Sequence, residues 1–294
     1  MEIIASAAPG GSNDQVARLM QRVLQEGKLV PVPVTVMNKP GGNQTLGITY
    51  LNQHPADPHY LIVANPTLFG NQIAGLSSQH YTDLALVSML LQEPIVFSVR
   101  ADSPVKTLKD VFERLKADPN AISIGIISRG GSTHLTFAVA AKNAGIDPRK
   151  LKFVVFKSNP ESMTALMGGH LQLVVSSMSS ALGQAQAGNA RMVAIAAPAR
   201  LPGEFAATPT LAEQGVSASL SNWRAVFAPK GITAAQLAFW EETMARMTAT
   251  EDWKKSLETA LWAPYFLRSR DAARALDSGY NDTKIIMTEL GLAK

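Results

Sequence analysis

Short apolar runs alternate with amphipathic segments along most of this chain. The first apolar run is 3–5, and a loop of small residues at 8–13 follows it. Beyond the loop, apolar residues recur at the spacing of one helix face, at Val16, Leu19, Met20, Val23 and Leu24. We therefore predict a strand, a loop and a helix that begins near Asp14 and ends at Gly27.

The same order of strand, loop and helix repeats through the chain. We predict further strands at 32–37, 60–64, 94–100, 121–127, 153–156, 171–175, 192–197 and 224–228. Thr107 caps one of the helices between them, and another helix opens at 159–161. After residue 231 the pattern predicts mainly helices, the first opened by a capping box from Thr233 to Gln236. This alternation is typical of an α/β protein whose mostly parallel sheets are flanked by helices.

The length of the chain favours two domains. Its 294 residues exceed one minimal domain, and 46% hydrophobic against 17% charged residues can fill two cores. We predict that lobe 1 comprises 1–101 and 223–294 and that lobe 2 comprises 102–222. The chain then crosses between the lobes near Ala101 and again near Asn222, with the ligand cleft between them.

Composition excludes several classes of function. The net charge of +4 is scattered and aromatic residues are only 6%, which is not the pattern of a nucleic-acid-binding face. The chain has no cysteine, so disulfides, thiolate metal sites and cysteine nucleophiles are excluded. The five histidines lack metal-ligand spacing, and no apolar run is long enough for a membrane span. We expect no metal, no cofactor and no membrane-spanning segment.

Two loops rich in small residues open directly onto predicted helices. They are 9–13, with Gly10, Gly11, Ser12 and Asn13, and 128–133, which contains Arg129. Glycine allows a ligand to approach the main chain, and the first turn of a helix offers free amide donors with partial positive charge. In open α/β sheets such loops lie where ligands bind, so the two loops could clamp a carboxylate. The same residues also form ordinary tight turns and caps, and both interpretations stay open.

Single side chains carry less information. Arg129 could meet a carboxylate in bidentate fashion or be a solvated loop residue. Asp14 could pair with a ligand ammonium, although the helix dipole already explains an acid in a first turn. His134 could donate to a ligand, and one or two of the serines at 176–180 could face a cleft. No nucleotide-binding or catalytic motif is present, so we expect no catalytic residues.

An ordered set of motifs resembles a known family. Segment 8–18, APGGSNDQVAR, resembles the PAGGxxDxxAR opening of the Bug solute receptors of tripartite tricarboxylate transporters. Segment 33–42, PVTVMNKPGG, is similar to the family's PVxVxNxPGG. Further similar segments are 102–108, 165–170 and 209–215, and 222–232 resembles the tricarboxylate-receptor branch. The matches run in order over nearly the whole chain.

The resemblance implies a two-lobed periplasmic-binding-protein (venus flytrap) fold and a partner permease in the membrane. It implies an exported protein, and Met1 leading directly into a strand fits a mature chain without its signal peptide, or a cytoplasmic protein. It assigns ligand binding to Gly10, Gly11, Ser12, Asn13, Asp14, Asn65, Thr67, Gly131, Ser132, Thr133 and His134, and places Ser177 near the interlobe cleft. Arg129, a position that we do not expect to be charged throughout the family, is a further candidate, for a second carboxylate or as a surface residue only.

One position departs from the family pattern. Many relatives carry aspartate where this chain has Ser177, which favours a ligand without an ammonium group. We therefore predict a monomeric receptor for a small organic acid, and di- and tricarboxylates and aromatic acids all stay open. The alternatives are an α/β enzyme that acts on a small anion, for example through a serine and His134, and a ligand-sensing receptor for a sensor kinase.

Overall fold

The computed structural model describes residues 1–216 and 220–294. Its strands are β1 (Glu2–Ala5), β2 (Thr35–Asn38), β3 (Tyr60–Ala64), β4 (Ala85–Gln92), β5 (Ile95–Arg100), β6 (Ile124–Ile126), β7 (Phe153–Val155), β8 (Leu173–Ser177), β9 (Ala190–Ala196), β10 (Trp223–Ala228) and β11 (Ala263–Arg268). Its α-helices are α1 (Ser12–Glu26), α2 (Thr45–Leu51), α3 (Thr67–Ile73), α4 (Leu108–Ala117), α5 (Ser132–Asn143), α6 (Asn159–Met167), α7 (Met178–Gln186), α8 (Ala234–Ala249), α9 (Glu251–Ala260) and α10 (Ser269–Glu289).

The chain folds into two compact units. Unit 1 comprises Met1–Glu93, Asn222–Lys284 and Lys294, and unit 2 comprises Pro94–Ser221 and Ile285–Ala293. These bounds differ from the lobe boundaries predicted at 101 and 222. The first crossing comes earlier because β5 pairs with β8 and β9 in the sheet of unit 2. The end of α10 also joins unit 2, where Nζ of Lys142 donates to Oε2 of Glu289 at 2.7 Å.

Unit 1 is built on a six-stranded sheet in the order β11-β4-β10-β3-β1-β2. β1 runs parallel to β2 and β3, whereas β10 is antiparallel to β3 and β4, and β11 is antiparallel to β4. The apolar stripe predicted in α1 packs into one core with β1, β3, α8 and α9. Since β3, β1 and β2 run parallel, the loops that follow them lie at one edge of the sheet.

Unit 2 is built on a five-stranded sheet in the order β7-β6-β8-β5-β9. β6 runs parallel to β7 and β8, and β5 runs antiparallel to β8 and β9. Its core is separate from that of unit 1 and contains the apolar faces of α4 and α5. The loops after β7, β6 and β8 therefore share one edge of this sheet.

Both sheets are mixed, where mostly parallel sheets were predicted. The antiparallel pairs involve the strands next to the first two crossings: β10 pairs with β3 and β4, and β5 pairs with β8 and β9. Parallel neighbours joined in sequence need a crossover of a dozen or more residues, and the β1–β2–β3 and β6–β7–β8 runs have such connections. β4 and β11 were also not predicted, and β11 breaks the mainly helical end of the chain.

Local capping predictions are confirmed. Thr107 accepts from the amide of Asp110 and forms a capping box with it, and Thr233 does the same with Gln236. Gly27 ends α1 as predicted. No helix among the described residues combines the length and apolar character needed to cross a membrane.

Candidate functional site

In unit 1, the loop between β1 and α1 makes a tight turn at two glycines. Gly10 lies in the left-handed region at a φ of +78°, where a side chain is strained. Its amide donates to Oδ2 of Asp14 at 2.8 Å. Gly11 then caps α1 in an extended conformation, where an added Cβ atom would lie 3.1 Å from the carbonyl oxygen of Ala8. The turn therefore favours glycine at both positions.

Asp14 holds this turn together. Nε of Arg18 donates to both of its carboxylate oxygens at 3.0 Å, and Nδ2 of Asn38 donates to Oδ1 at 2.8 Å. Desolvation acts to raise the pKa of Asp14, but the hydrogen bonds from Arg18, Gly10 and Asn38 outweigh it and lower the pKa below its ordinary value. The carboxylate is thus ionised and engaged within unit 1, which gives it a structural role.

A network of amide side chains joins the loops after β1, β2 and β3. Oε1 of Gln44 accepts from Nδ2 of Asn13 at 3.3 Å and from the amide of Asn65 at 3.1 Å. Nδ2 of Asn65 donates to Oδ1 of Asn13 at 3.3 Å. The amide of Thr67, at the start of α3, donates to Oδ1 of Asn65 at 3.0 Å. Three predicted site residues are therefore brought together, and Gln44, which links them, was not predicted.

Unit 2 contains a matching turn between β6 and α5. Gly130 has a φ of +74°, and its amide donates to Nδ1 of His134 at 3.0 Å. Gly131 caps α5 in an extended conformation, as Gly11 caps α1. The two turns share the sequence Gly-Gly-Ser, followed by Asn13 and Asp14 in unit 1 and by Thr133 and His134 in unit 2. In both turns, the side chain four residues after the first glycine accepts a hydrogen bond from the amide of that glycine.

His134 remains neutral in this position. Since Nδ1 accepts from Gly130, the proton of the neutral ring is on Nε2. Burial, and next the positive charge of Arg129, lower the pKa of His134 to about 4. The ring also packs edge-on against Phe153 with 4.6 Å between ring centroids. His134 therefore supports the turn as a neutral acceptor at physiological pH.

The N-termini of α1 and α5 differ from those of four other helices. A side-chain hydroxyl caps the first turn of each of these four: Thr107 in α4, Ser158 in α6, Thr233 in α8 and Thr250 in α9. The N-cap residues of α1 and α5 are glycines, which provide no side-chain cap. The first-turn residues of both are nevertheless buried: Ser12, Asn13, Asp14, Ser132, Thr133 and His134. A helix N-terminus without a side-chain cap is the kind of place where main-chain amides can hold an anion.

Other predicted site residues lie near the N-terminus of α5 in unit 2. Ser177 is buried at the end of β8 and precedes α7, and β8 neighbours β6 in the sheet. Oγ1 of Thr133 is buried and has no hydrogen-bond partner in the part of the chain described. Arg129 is exposed and forms no ion pair with any described residue. Its charge therefore lies at the rim of this turn.

His134 has few polar contacts among the described residues. The ring forms one hydrogen bond, to the amide of Gly130, and no described hydroxyl bonds to it. Within residues 1–216 and 220–294, no group of three or more His, Asp or Glu side chains could hold a metal ion. What the turns present is a set of neutral donors.

Comparison with known proteins identifies the family. Residues 16–292 match the family described as tripartite tricarboxylate transporter family receptor. The chain is 27% identical to the protein BugT of Bordetella pertussis over 236 residues, which cover 79% of this chain and 71% of BugT.

Solved structures show the same fold. An R. palustris protein with adipate superposes with a TM-score of 0.91 at 20% identity, covering 100% of this chain and 97% of that one. The protein MatC from Rhodopseudomonas palustris with bound malate superposes with a TM-score of 0.84 at 20% identity, covering 97% and 98%. The predicted periplasmic-binding-protein fold and the predicted resemblance are therefore confirmed. The chain belongs to the tripartite tricarboxylate transporter family of receptors, which are solute-binding proteins.

Proposed function

We propose that this protein is a periplasmic receptor that captures a small carboxylate and delivers it to a tripartite tricarboxylate transporter permease. The observation that carries the proposal is a matching turn in each unit: α1 and α5 both begin after a glycine N-cap that gives no side-chain cap, and their first-turn residues are buried. A buried helix end without a cap requires another partner for its amides. A carboxylate supplies acceptor oxygens and a negative charge, which the helix dipole favours.

The neutral surroundings support an anion without an ammonium group. In unit 1 the charge of Asp14 is already balanced by Arg18. In unit 2 position 177 is a serine, which provides no carboxylate to pair with an amino group. The ligand contacts then come from the main chain and from hydroxyl and amide side chains: Gly10, Gly11, Ser12, Asn13, Asn65, Thr67, Gly131, Ser132, Thr133 and Ser177. Arg129, at the rim, could hold a second carboxylate.

The ligands of two similar proteins support a small dicarboxylate or tricarboxylate as the ligand of this one. Adipate and malate, named with the two solved structures, are both dicarboxylic acids. We propose a di- or tricarboxylate of that size, enclosed by closure of the lobes, with the closed form recognised by the permease. Binding without chemical conversion is sufficient for this function.

A thermal-shift screen tests the proposal. The protein is unfolded and refolded to remove trapped ligand, then heated with malate, adipate, citrate or benzoate. A ligand at about 100 times its Kd stabilises the native state by about 2.7 kcal/mol, so we expect at least one acid to raise Tm by several degrees. No stabilisation by any acid contradicts the proposal.

A charge placed at the N-terminus of α5 makes the test specific. Ser132→Asp puts a carboxylate where the ligand's carboxylate is proposed to bind, and its own interaction with the helix dipole preserves the fold. We expect Ser132→Asp to abolish the Tm increase caused by the acid. The matched control Thr107→Asp introduces the same charge at the N-cap of α4 and leaves the increase unchanged. An unchanged increase in both variants places the ligand elsewhere.

A further inference from the structure

The chain first crosses from unit 1 to unit 2 between Glu93 and Pro94, returns between Ser221 and Asn222, and crosses again within α10 after Lys284. Glu93 is the last residue of the first segment of unit 1, and its amide donates to the carbonyl oxygen of Asn222 at 3.0 Å. This bond extends the β4–β10 ladder beyond the pair of Gln92 and Trp223. Pro94 has no amide hydrogen, so the ladder stops there. The strand therefore changes partners within two residues.

A buried ion pair ties the first crossing to the second. Nη2 of Arg224 donates to Oε2 of Glu93, and the side chains are 1% and 0% exposed. Nη1 of Arg224 donates to Oδ1 of Asn222 at 3.0 Å and to the carbonyl oxygen of Trp223 at 2.9 Å. Nδ2 of Asn222 donates to the carbonyl oxygen of Glu93 at 3.1 Å. We name Glu93, Asn222 and Arg224 the crossing cluster.

Stability alone does not account for this cluster. Burial lowers the pKa of Arg224 from its ordinary value, and the charge of Glu93 opposes that shift. A buried ion pair is often no more stable than apolar side chains of similar volume, because both charges lose their hydration. The planar guanidinium, however, fixes several acceptors in one geometry, which an apolar side chain cannot do. The cluster therefore adds geometric definition where the chain passes between units.

In each unit, a candidate ligand loop is attached to a crossing. In unit 1, α3 begins at Thr67 and its Phe69 packs edge-on against Trp223 with 5.6 Å between ring centroids. In unit 2, the carbonyl oxygen of Pro94 accepts from the amide of Met178 at 2.9 Å, directly after Ser177. Each of the first two crossings is therefore in contact with an element that carries candidate ligand residues.

We propose that Glu93 and Arg224 are positioning residues for ligand capture: they hold the first two crossings together so that the units move as a hinge with defined end states. The inference rests on the proposed function, because closure around a ligand is the motion that such a hinge serves. When the cluster is weakened, the crossings flex independently and the apo protein samples a wider range of arrangements.

Labelling for single-molecule energy transfer measures that range directly. The chain has no cysteine, so Glu26→Cys in unit 1 and Lys116→Cys in unit 2, both at exposed positions, accept one dye each without background. Arg224→Lys keeps the buried charge balanced but loses the planar fork. We expect the apo distance distribution to be broader in Arg224→Lys than in the labelled parent, and the affinity for malate or adipate to be about fivefold lower or more.

A second variant separates this role from folding. Glu93→Met with Arg224→Met replaces the pair by apolar side chains, and we expect a folded protein with the same broadened apo distribution. The control Glu242→Met with Arg268→Met removes an exposed ion pair of unit 1 and leaves the distribution unchanged. Unchanged apo distributions in both crossing variants overturn the inference. If no acid raises the Tm of the parent, the proposed function is refuted instead. Broadened apo distributions in the crossing variants would in that case still support the hinge.

Discussion

At the scale of single residues, Asp14 and His134 occupy the same place in two matching turns but differ in charge. Each side chain accepts a hydrogen bond from the amide of the glycine four residues earlier. Asp14 is ionised, and Arg18 balances its charge, whereas burial keeps His134 neutral. Neither side chain therefore presents an unbalanced negative charge that would repel a ligand anion. The attraction comes from main-chain amides, which leave little mark in a sequence.

The low pKa of His134 leads to an expected loss of stability in mild acid. The pKa of His134 is about 4 in the folded protein and 6.5 in the unfolded chain. Between these two pH values only the unfolded chain binds the proton. Stability from this residue is complete above pH 6.5 and falls as the pH approaches 4, by about 3 kcal/mol. His134→Asn keeps an acceptor for Gly130 but does not titrate. Urea unfolding should show the parent losing more stability than this variant in that window, and parallel curves contradict the expectation.

At the scale of elements, helix N-termini capped by a side chain could be predicted from the sequence, whereas those capped by the backbone alone could not. Thr107 and Thr233 were visible as caps. The helix predicted from Asp14 begins at Ser12 instead, because Gly11 caps it without a side chain. β11 was not predicted; it contains Pro264, which is tolerated because β11 lies at the edge of its sheet.

The glycine turn itself is testable with a matched substitution. Gly10→Ala and Gly183→Ala both add a methyl group where no atom lies within 4 Å, so neither causes a clash. Gly10 has a φ of +78°, whereas Gly183 lies inside α7. We expect Gly10→Ala to destabilise the protein by about 1–2 kcal/mol and Gly183→Ala to stabilise it by up to about 1 kcal/mol. Denaturant unfolding measures both, and equal effects of the two substitutions would refute a role for the left-handed turn.

At the scale of the whole molecule, sequence periodicity was sufficient for the α/β class and for locating the loops at the strand ends. It could not reveal contacts made at long range. Glu93 and Arg224 are 131 positions apart, and nothing in their neighbours along the chain marks them as partners. Gln44 joins three loops only because its backbone has a φ of +77°, which no residue preference indicates. Such residues acquire their role from the topology.

The two units have separate hydrophobic cores, and this leads to a final expectation. Met20 is fully buried in the core of unit 1 and Phe137 in that of unit 2. Truncation of either side chain to alanine removes about 3 kcal/mol of packing. Because each core contains elements of one unit only, we expect hydrogen exchange to accelerate in unit 1 for Met20→Ala and in unit 2 for Phe137→Ala. Mass spectrometry of peptides from both units measures this. Equal acceleration in both units for either variant would mean that the cores unfold together, and the hinge would then connect parts that are not independently stable.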